Sequence, residues 1–226
     1  MIVDSEPRHI TAFMDVFREL DVEHTHGIEF EAYLGKSDES VWVDFVEMHE
    51  PKQSLGKLQA WKQKRLIEIL HDETPIFNGI PELVELLGRH VPLAVASGSL
   101  HPVIDAVLKL GQLRQHFSAV ASIEDVGNVT KPKPDVFLHA AGLLQVNPAE
   151  ICAIEDSAAG VQAALNAGMQ VIAITNSLRA DQLTHATCVV NTFQEVSDLL
   201  HPRVSAVGNQ QSASRSRSRI CASSDY

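Results

Sequence analysis

Cysteine is scarce: Cys152, Cys188 and Cys221 are the only three, and no two lie close in sequence. This excludes a disulfide framework or a cysteine zinc site and suits a reducing cytoplasm. No apolar run approaches about 18 residues, so no membrane-spanning helix is expected. The opening Met1-Ile-Val-Asp4-Ser-Glu6 has neither a basic start nor an apolar stretch and does not read as a signal peptide. Positive charge is also short, with 18 Lys+Arg against 29 Asp+Glu and a net charge of −11. Such a chain offers no basic face from which a nucleic acid could release counterions. What remains is ordinary for a soluble globular protein, 45% apolar and 21% charged. Its 226 residues fit one large domain, or one domain with a smaller insertion.

The composition changes twice along the chain. Residues 13–75 are rich in charge and long side chains, with helical spacing at 30–34, 38–49 and 54–70. In the last of these, Leu58, Trp61, Leu66 and Ile69 share a face, with Lys57, Lys62, Lys64 and Arg65 mostly elsewhere. From about residue 76, short apolar runs alternate with amphipathic helices. Strands are predicted at 92–96, 117–121, 151–154 and 170–175, with a short fifth at 188–190. Helices are predicted at 102–110, 135–144 and 158–167. Continuous apolar strands alternating with helices imply an α/β fold, a Rossmann-like parallel sheet covered on both faces. The stretch 203–226 has no apolar periodicity, contains Ser-Arg repeats and carries +3, leaving −14 for the rest. It reads as a disordered tail.

Ligands bind such sheets beyond the carboxyl ends of the strands, and three groups of polar residues fall there. Ser97-Gly98-Ser99 follows the first of these strands. Small hydroxyl residues and a glycine suit a phosphate site; they equally suit a helix cap. Lys131 sits in Lys131-Pro-Lys-Pro-Asp135. Two prolines hold it in an extended turn, so its ammonium could neutralise a phosphoryl group or a carboxylate. A solvated turn lysine is the alternative, and Lys133 is the better surface candidate. Glu155-Asp156 ends the third strand. Adjacent carboxylates repel unless offset, and Mg²⁺ is a fitting counterion; the alternative is a cap supplied by Asp156 or Ser157. A phosphate-binding serine, a fixed lysine and an acid pair at one sheet edge suggest Mg²⁺-assisted phosphoryl transfer.

These residues resemble the haloacid dehalogenase superfamily of phosphohydrolases, in the branch of beta-phosphoglucomutase and small sugar-phosphate phosphatases. The resemblance spans residues 2–200. Ala96-Ser-Gly-Ser99 is similar to the second family motif, Lys131-Pro-Lys-Pro-Asp135 to the third, and Glu155-Asp-Ser-Ala-Ala-Gly-Val161 with Ala167-Gly-Met169 to the fourth. It implies catalytic roles for Ser97 and Lys131, phosphate contacts from Ser97, Gly98 and Ser99, and Mg²⁺ on Glu155 and Asp156. It further implies a core of residues 1–12 and 76–202 with an inserted helical cap at 13–75. Gly35-Lys-Ser-Asp38 is similar to the cap loop over the active site, which makes Lys36 a substrate contact. His9 corresponds to the cap–core entrance, where it contacts substrate, packs or acts at the hinge.

The departure is at the front. The family opens with an apolar strand and Asp-x-Asp-Gly, its first Asp the nucleophile and its second the general acid–base. In this resemblance both fall before Met1, and Asp4 matches a later Asp of the motif. A chain without that central strand exposes the edges of two interior strands, and seven residues containing Pro7 are not expected to replace it. A gene start assigned too far downstream, or a truncation, would explain this. As printed, the chain is expected to lack turnover. The resemblance implies a phosphatase for a small phosphorylated metabolite, a sugar phosphate, acting through an aspartyl-phosphate. A mutase is the alternative, lowered because the cap loop has Lys36 but no Arg. A non-catalytic binder of phosphate and Mg²⁺ is another. Dehalogenation needs no metal and leaves the acid pair unexplained. Nothing names a protein partner.

Overall fold

The computed structural model describes residues 1–33 and 37–200. By the packing of its Cα atoms the chain divides into two units. Of the described residues, one unit comprises Met1, Asn78–Leu100 and residues 112–200; the other comprises those of Ile2–Phe77 and His101–Gly111.

The first unit is α/β. Its strands are β1 (Leu93–Ser97), β2 (Phe117–Ser122), β3 (Cys152–Glu155), β4 (Gln170–Ile174) and β5 (Cys188–Val190). Every strand pairing is parallel, as continuous apolar strands separated by helices require. The strands form two sheets, β1-β2 and β3-β4-β5. One sheet was expected, and the difference has a simple cause. Among the described residues no strand lies between β1 and β3, so each keeps an unpaired edge. One apolar layer nevertheless serves both sheets. Ala121 of β2, Ala153 of β3, and Val171 and Ala173 of β4 are buried in one cluster with Val136, Phe137 and Ala140, and Ala94 and Ala96 of β1 pack against it.

Helices supply that layer. In this unit lie α4 (Ile80–Gly88), α6 (Asp135–Leu144), α7 (Ala158–Asn166) and a helix at 193–200. Ser157 caps α7, its hydroxyl accepting from Gly160 N–H at 3.0 Å. Past the end of α7, Gly168 takes φ +81°, a left-handed conformation that glycine adopts without a Cβ clash. Helix α4 was not anticipated, although Ile80, Leu83, Val84 and Leu87 are buried at helical spacing.

The second unit is helical: α1 (Glu6–Glu19), α2 (Asp38–His49), α3 (Leu55–Glu73), α5 (His101–Leu110) and a 3₁₀ turn at Phe30–Tyr33. Helix α1 was also unanticipated and runs unbroken through residues 12 and 13. Residues 2–12 and 101–111 pack with this helical unit rather than with the strands. Its core is aromatic: Phe13, Phe17, Trp42 and Phe45 are buried together. Phe17 and Phe45 stack at 4.6 Å, and Trp42 meets Phe17 edge-on at 5.7 Å. Ring pairs of this kind add about 0.5–1.5 kcal/mol each beyond their buried area. The N-terminal residues join this unit as well. Val3 bridges Ile76 in antiparallel fashion, and Asp4 N–H donates to Pro75 O at 2.9 Å. Residues 2–4 therefore pair here and not with β1 or β3, and Pro7 opens α1.

Lys62 corrects the expected polar face of α3: it is 1% exposed. It stands four residues from both Leu58 and Leu66, on the buried side. Its Nζ is 2.5 Å from Asp38 Oδ2, 2.7 Å from His9 Nδ1 and 4.7 Å from the Phe13 ring centroid. His9 Nδ1 is also 3.2 Å from Asp38 Oδ1. That nitrogen can accept from Lys62 or, when protonated, donate to Asp38, but not both. Burial pushes the Lys62 ammonium pKa down, against the pull of Asp38. For Asp38, burial acts to raise the carboxyl, but His9 and then Lys62 outweigh it and hold the group far below the usual carboxylate range.

The pair is asymmetric, because Asp38 keeps 44% of its side-chain surface in solvent and Lys62 only 2%. Asp38→Asn orphans a buried ammonium and should cost about 3 kcal/mol at pH 7. Lys62→Met orphans a partly hydrated carboxylate and should cost less than half as much. Because the folded Asp38 pKa is depressed, its stabilisation is complete above about pH 4 and is lost as pH falls towards the folded value. The difference between the native chain and Asp38→Asn in urea unfolding should therefore shrink in acid. Equal costs for the two variants, or a difference that grows in acid, would refute this account.

Candidate active site

The carboxyl ends of β1, β2 and β3 carry the polar residues singled out from the sequence, and the structure joins most of them. Ser97 closes β1. Its Oγ accepts from Ser99 N–H at 3.0 Å, folding the Ser97-Gly98-Ser99 loop on itself and leaving the hydroxyl proton available to another acceptor. At Gly98 an added Cβ would meet open space. Ser122, at the end of β2 and fully buried, donates from Oγ to Ser99 O at 2.8 Å. Its main-chain N–H donates to Asp125 Oδ2 at 2.8 Å. Ser122 thus ties the end of β2 to the Ser97 loop. The sequence reading passed over it, and only the apolar-to-polar change at the close of β2 marked it.

Lys131 is drawn inward. Its Nζ lies 2.5 Å from Glu155 Oε1 and 3.5 Å from Ala96 O, and 4.8 Å from the Phe137 ring centroid. One ammonium therefore touches both β1 and β3. The turn behind it is held by Asn166, whose side-chain amide donates to Pro132 O at 3.0 Å. Lys133 is exposed, as expected.

Glu155 and Asp156 are both buried, 6% and 7% exposed. Their surroundings separate them. Glu155 gives Oε1 to Lys131, while Oε2 accepts from Asp156 N–H at 3.3 Å and Ser157 Oγ at 3.4 Å. Behind it, Gly160 leaves no room: a Cβ there would overlap the Glu155 carboxylate. Asp156 accepts from Ser177 Oγ at 2.9 Å on Oδ2, and the Met1 nitrogen lies 3.4 Å from the same oxygen. Its other oxygen accepts no hydrogen bond among the described residues. The cap of α7 is Ser157, so Asp156 is not spent on capping. Close by in sequence, the Asn176 side-chain nitrogen is buried with no hydrogen-bond partner.

No cluster of three or more His, Cys, Asp or Glu poised for a metal occurs among the described residues. The donor set still fits Mg²⁺, which is commonly held by one or two carboxylates with waters and phosphate oxygens completing the shell. Asp156 has the free oxygen for this, whereas Glu155 is committed to Lys131. Two expected contacts remain. His9 belongs to the helical unit, hydrogen-bonded with Lys62 and Asp38. Lys36 lies outside the described residues, as does the Ser/Arg stretch 203–226.

Ala normally favours a helix over Gly by about 1 kcal/mol. At Gly160 the order should reverse. Gly160→Ala must displace the Glu155 carboxylate and with it Lys131, and is expected to destabilise by about 1–3 kcal/mol as overpacked sites do. Thermal unfolding of the two proteins checks this, and a stabilised Gly160→Ala would contradict the packing described.

The sequence and the fold are similar to those of known proteins. The model of the haloacid dehalogenase-like hydrolase family matches residues 1–174. Hexitol phosphatase B of Escherichia coli (strain K12) is 32% identical over 179 residues, covering 77% of this chain and 79% of that protein. Beta-phosphoglucomutase of Bacillus subtilis (strain 168) is 27% identical over 214 residues, 89% of this chain and 90% of that protein. Among solved structures, CbbY from Rhodobacter sphaeroides in complex with xylulose-1,5-bisphosphate superimposes with a TM-score of 0.75 at 25% identity, covering 86% of this chain and 91% of that one. With the family match spanning most of the sequence and an α/β fold carrying Ser97, Lys131, Glu155 and Asp156 at its strand ends, the chain belongs to the haloacid dehalogenase-like hydrolases.

Proposed function

We propose that this protein is a Mg²⁺-dependent phosphohydrolase acting on a small sugar phosphate, and that the described residues supply its binding and electrostatic groups. The observation that carries the reading is the Lys131 ammonium held between Ala96 O and the Glu155 carboxylate, beside the Ser97 loop. In a partly buried site a fixed cation and oriented donors act on a phosphoryl group without reorganising, which is worth far more there than in water. Ser97 Oγ–H and the Gly98 amide donate to phosphoryl oxygens, while Ser99 N–H holds the Ser97 hydroxyl in place. Lys131 neutralises them, and Glu155 fixes Lys131 in position. Bound at Asp156, with Glu155 adjacent, Mg²⁺ would add positive charge opposite the transferring group.

The chemistry proposed is the aspartyl-phosphate route, in which a carboxylate displaces the sugar oxygen from phosphorus and water then displaces the carboxylate. In the resemblance, the Asp that does this belongs to a motif ahead of Asp4, outside the 226 residues. Sugar phosphates as the substrate class rest on two relatives, named as a hexitol phosphatase and a fructose-1-phosphate phosphatase. The cytoplasm is the proposed location, from the cysteine pattern.

A mutase is less well supported. The cap loop offers Lys36 and no Arg, and the adjacent Asp38 is tied to Lys62 and His9. Lysine lacks the two-pronged grip that a second phosphate favours.

The test uses the 226-residue chain and a second protein with an apolar strand and Asp-x-Asp-Gly placed before Met1. Phosphate release from hexose and hexitol phosphates should be seen with the extended protein and should vanish in EDTA. Lys131→Ala and Asp156→Ala in that protein should each lower kcat/KM by about 100-fold or more, as loss of a transition-state contact does. Activity that survives EDTA, or phosphate exchange between two sugar phosphates faster than hydrolysis, would replace this reading.

A further inference from the structure

We propose that Asn78 is a site of spontaneous modification in the folded protein, where its side chain closes onto the Gly79 nitrogen and loses ammonia, leaving aspartate or isoaspartate. Asn78 and Gly79 form the turn that leads into α4, at the start of the 78–100 stretch of the α/β unit.

Three observations single out this asparagine. First, of the seven Asn in the sequence it alone is followed by glycine. Ring closure brings the next residue's main-chain nitrogen onto the Asn side-chain carbonyl carbon, and a Cβ on that residue crowds the approach; glycine has none. Second, both reacting groups are uncommitted. The Asn78 side chain is exposed, and among the described residues neither its amide nor the Gly79 N–H makes a hydrogen bond. Gly79 O, by contrast, accepts from Leu83 N–H at 3.0 Å, so α4 is anchored through the carbonyl and the nitrogen is left unused. Third, the fold keeps the glycine in place. Gly79 takes φ +87°, and a Cβ there would stand 3.3 Å from Phe193 Cβ. The residue that packing demands is the one that makes its neighbour labile.

The other described asparagines each lack a requirement. Asn128 is exposed but precedes the β-branched Val129. Asn147 precedes Pro148, whose nitrogen carries no proton to give up. Asn166 donates to Pro132 O, Asn191 accepts from Thr175 Oγ1, and the Asn176 side-chain nitrogen is buried.

The step needs water alone. The Gly79 nitrogen gives its proton to solvent and bonds to Asn78 Cγ. The Cγ–Nδ2 bond breaks, and ammonia leaves with a proton. Water then opens the succinimide. Cleavage between the nitrogen and Cγ gives aspartate; cleavage between the nitrogen and the main-chain carbonyl carbon gives isoaspartate. Aspartate puts a carboxylate ahead of α4, where a helix N-terminus favours it. Isoaspartate lengthens the main chain immediately before Gly79, the residue packed against Phe193.

The test ages the full chain in warm, mildly alkaline buffer, both folded and in urea. Peptide mass spectrometry follows the acid formed, and a protease that cuts at aspartate separates it from isoaspartate. Acid should accumulate at Asn78 ahead of every other Asn, and the folded chain should react within about tenfold of the rate in urea. Asn78→Gln, whose longer side chain closes a less favoured ring, should stay unmodified there while the remaining peptides age as before. The isoaspartyl fraction should unfold at a lower temperature than the parent chain, and Asn78→Asp at no lower temperature. A folded chain that reacts more than about tenfold slower than the chain in urea would show that the fold protects Asn78, and would overturn the proposal. So would earlier reaction at Asn128, or acid forming as fast in Asn78→Gln. Equal unfolding temperatures for the isoaspartyl fraction and the parent would overturn the consequence drawn for α4.

Discussion

One ammonium group organises this site. Lys131 and the Glu155 carboxylate, which is 6% exposed, are buried against each other as an ion pair. Each residue is costly to bury alone and tolerable with its partner. Their contact also joins two sheets that share no hydrogen-bonded strand, since Lys131 reaches Ala96 O on the other side. The turn that presents Lys131, the Asn166 amide that holds the turn, and the bare backbone at Gly160 all serve this single contact.

The surrounding polar groups divide the work by how many partners they already have. Glu155 has both oxygens engaged and acts on the site through Lys131. Asp156 retains an oxygen that nothing in the described chain occupies and is the group left for a cation. Ser157 takes the helix cap that would otherwise have fallen to Asp156. Ser122, which carries no charge and has no exposure, fixes the loop on which Ser97 sits. Motifs of this kind work as units because each member satisfies one neighbour and frees another.

The helical unit repeats the same physics with a different outcome. Lys62 is buried against Phe13 and paired with Asp38, much as Lys131 is placed against Phe137 and paired with Glu155. There Asp38 stays partly in water, and His9 shares the pair. His9, read from the sequence as a substrate contact, a packing residue or a hinge group, is a member of this network. It stands in the first turn of α1, six residues past the Val3 bridge to Ile76.

The sequence by itself determined what is local. Strand-to-helix turns carry Ser97, Lys131, Glu155 and Asp156 within short stretches whose apolar runs, prolines and small residues reveal their place, and the parallel α/β class followed from the same alternation. Helix α2 was legible to the residue, and α6 likewise, because their apolar positions recur at helical spacing between clear breaks. Tertiary structure decided what depends on residues far apart in the chain. Glu155 rather than Asp156 takes Lys131 because Gly160 sets the Glu155 carboxylate against the turn 24 residues away. Lys62 is interior because Asp38 and His9, 24 and 53 residues distant, offset the cost of burying it. The sheet is two sheets because a strand is held by its neighbours, and among the described residues β1 and β3 have none between them. Periodicity reports which face of an element is apolar; only packing reports which charge will find a partner there.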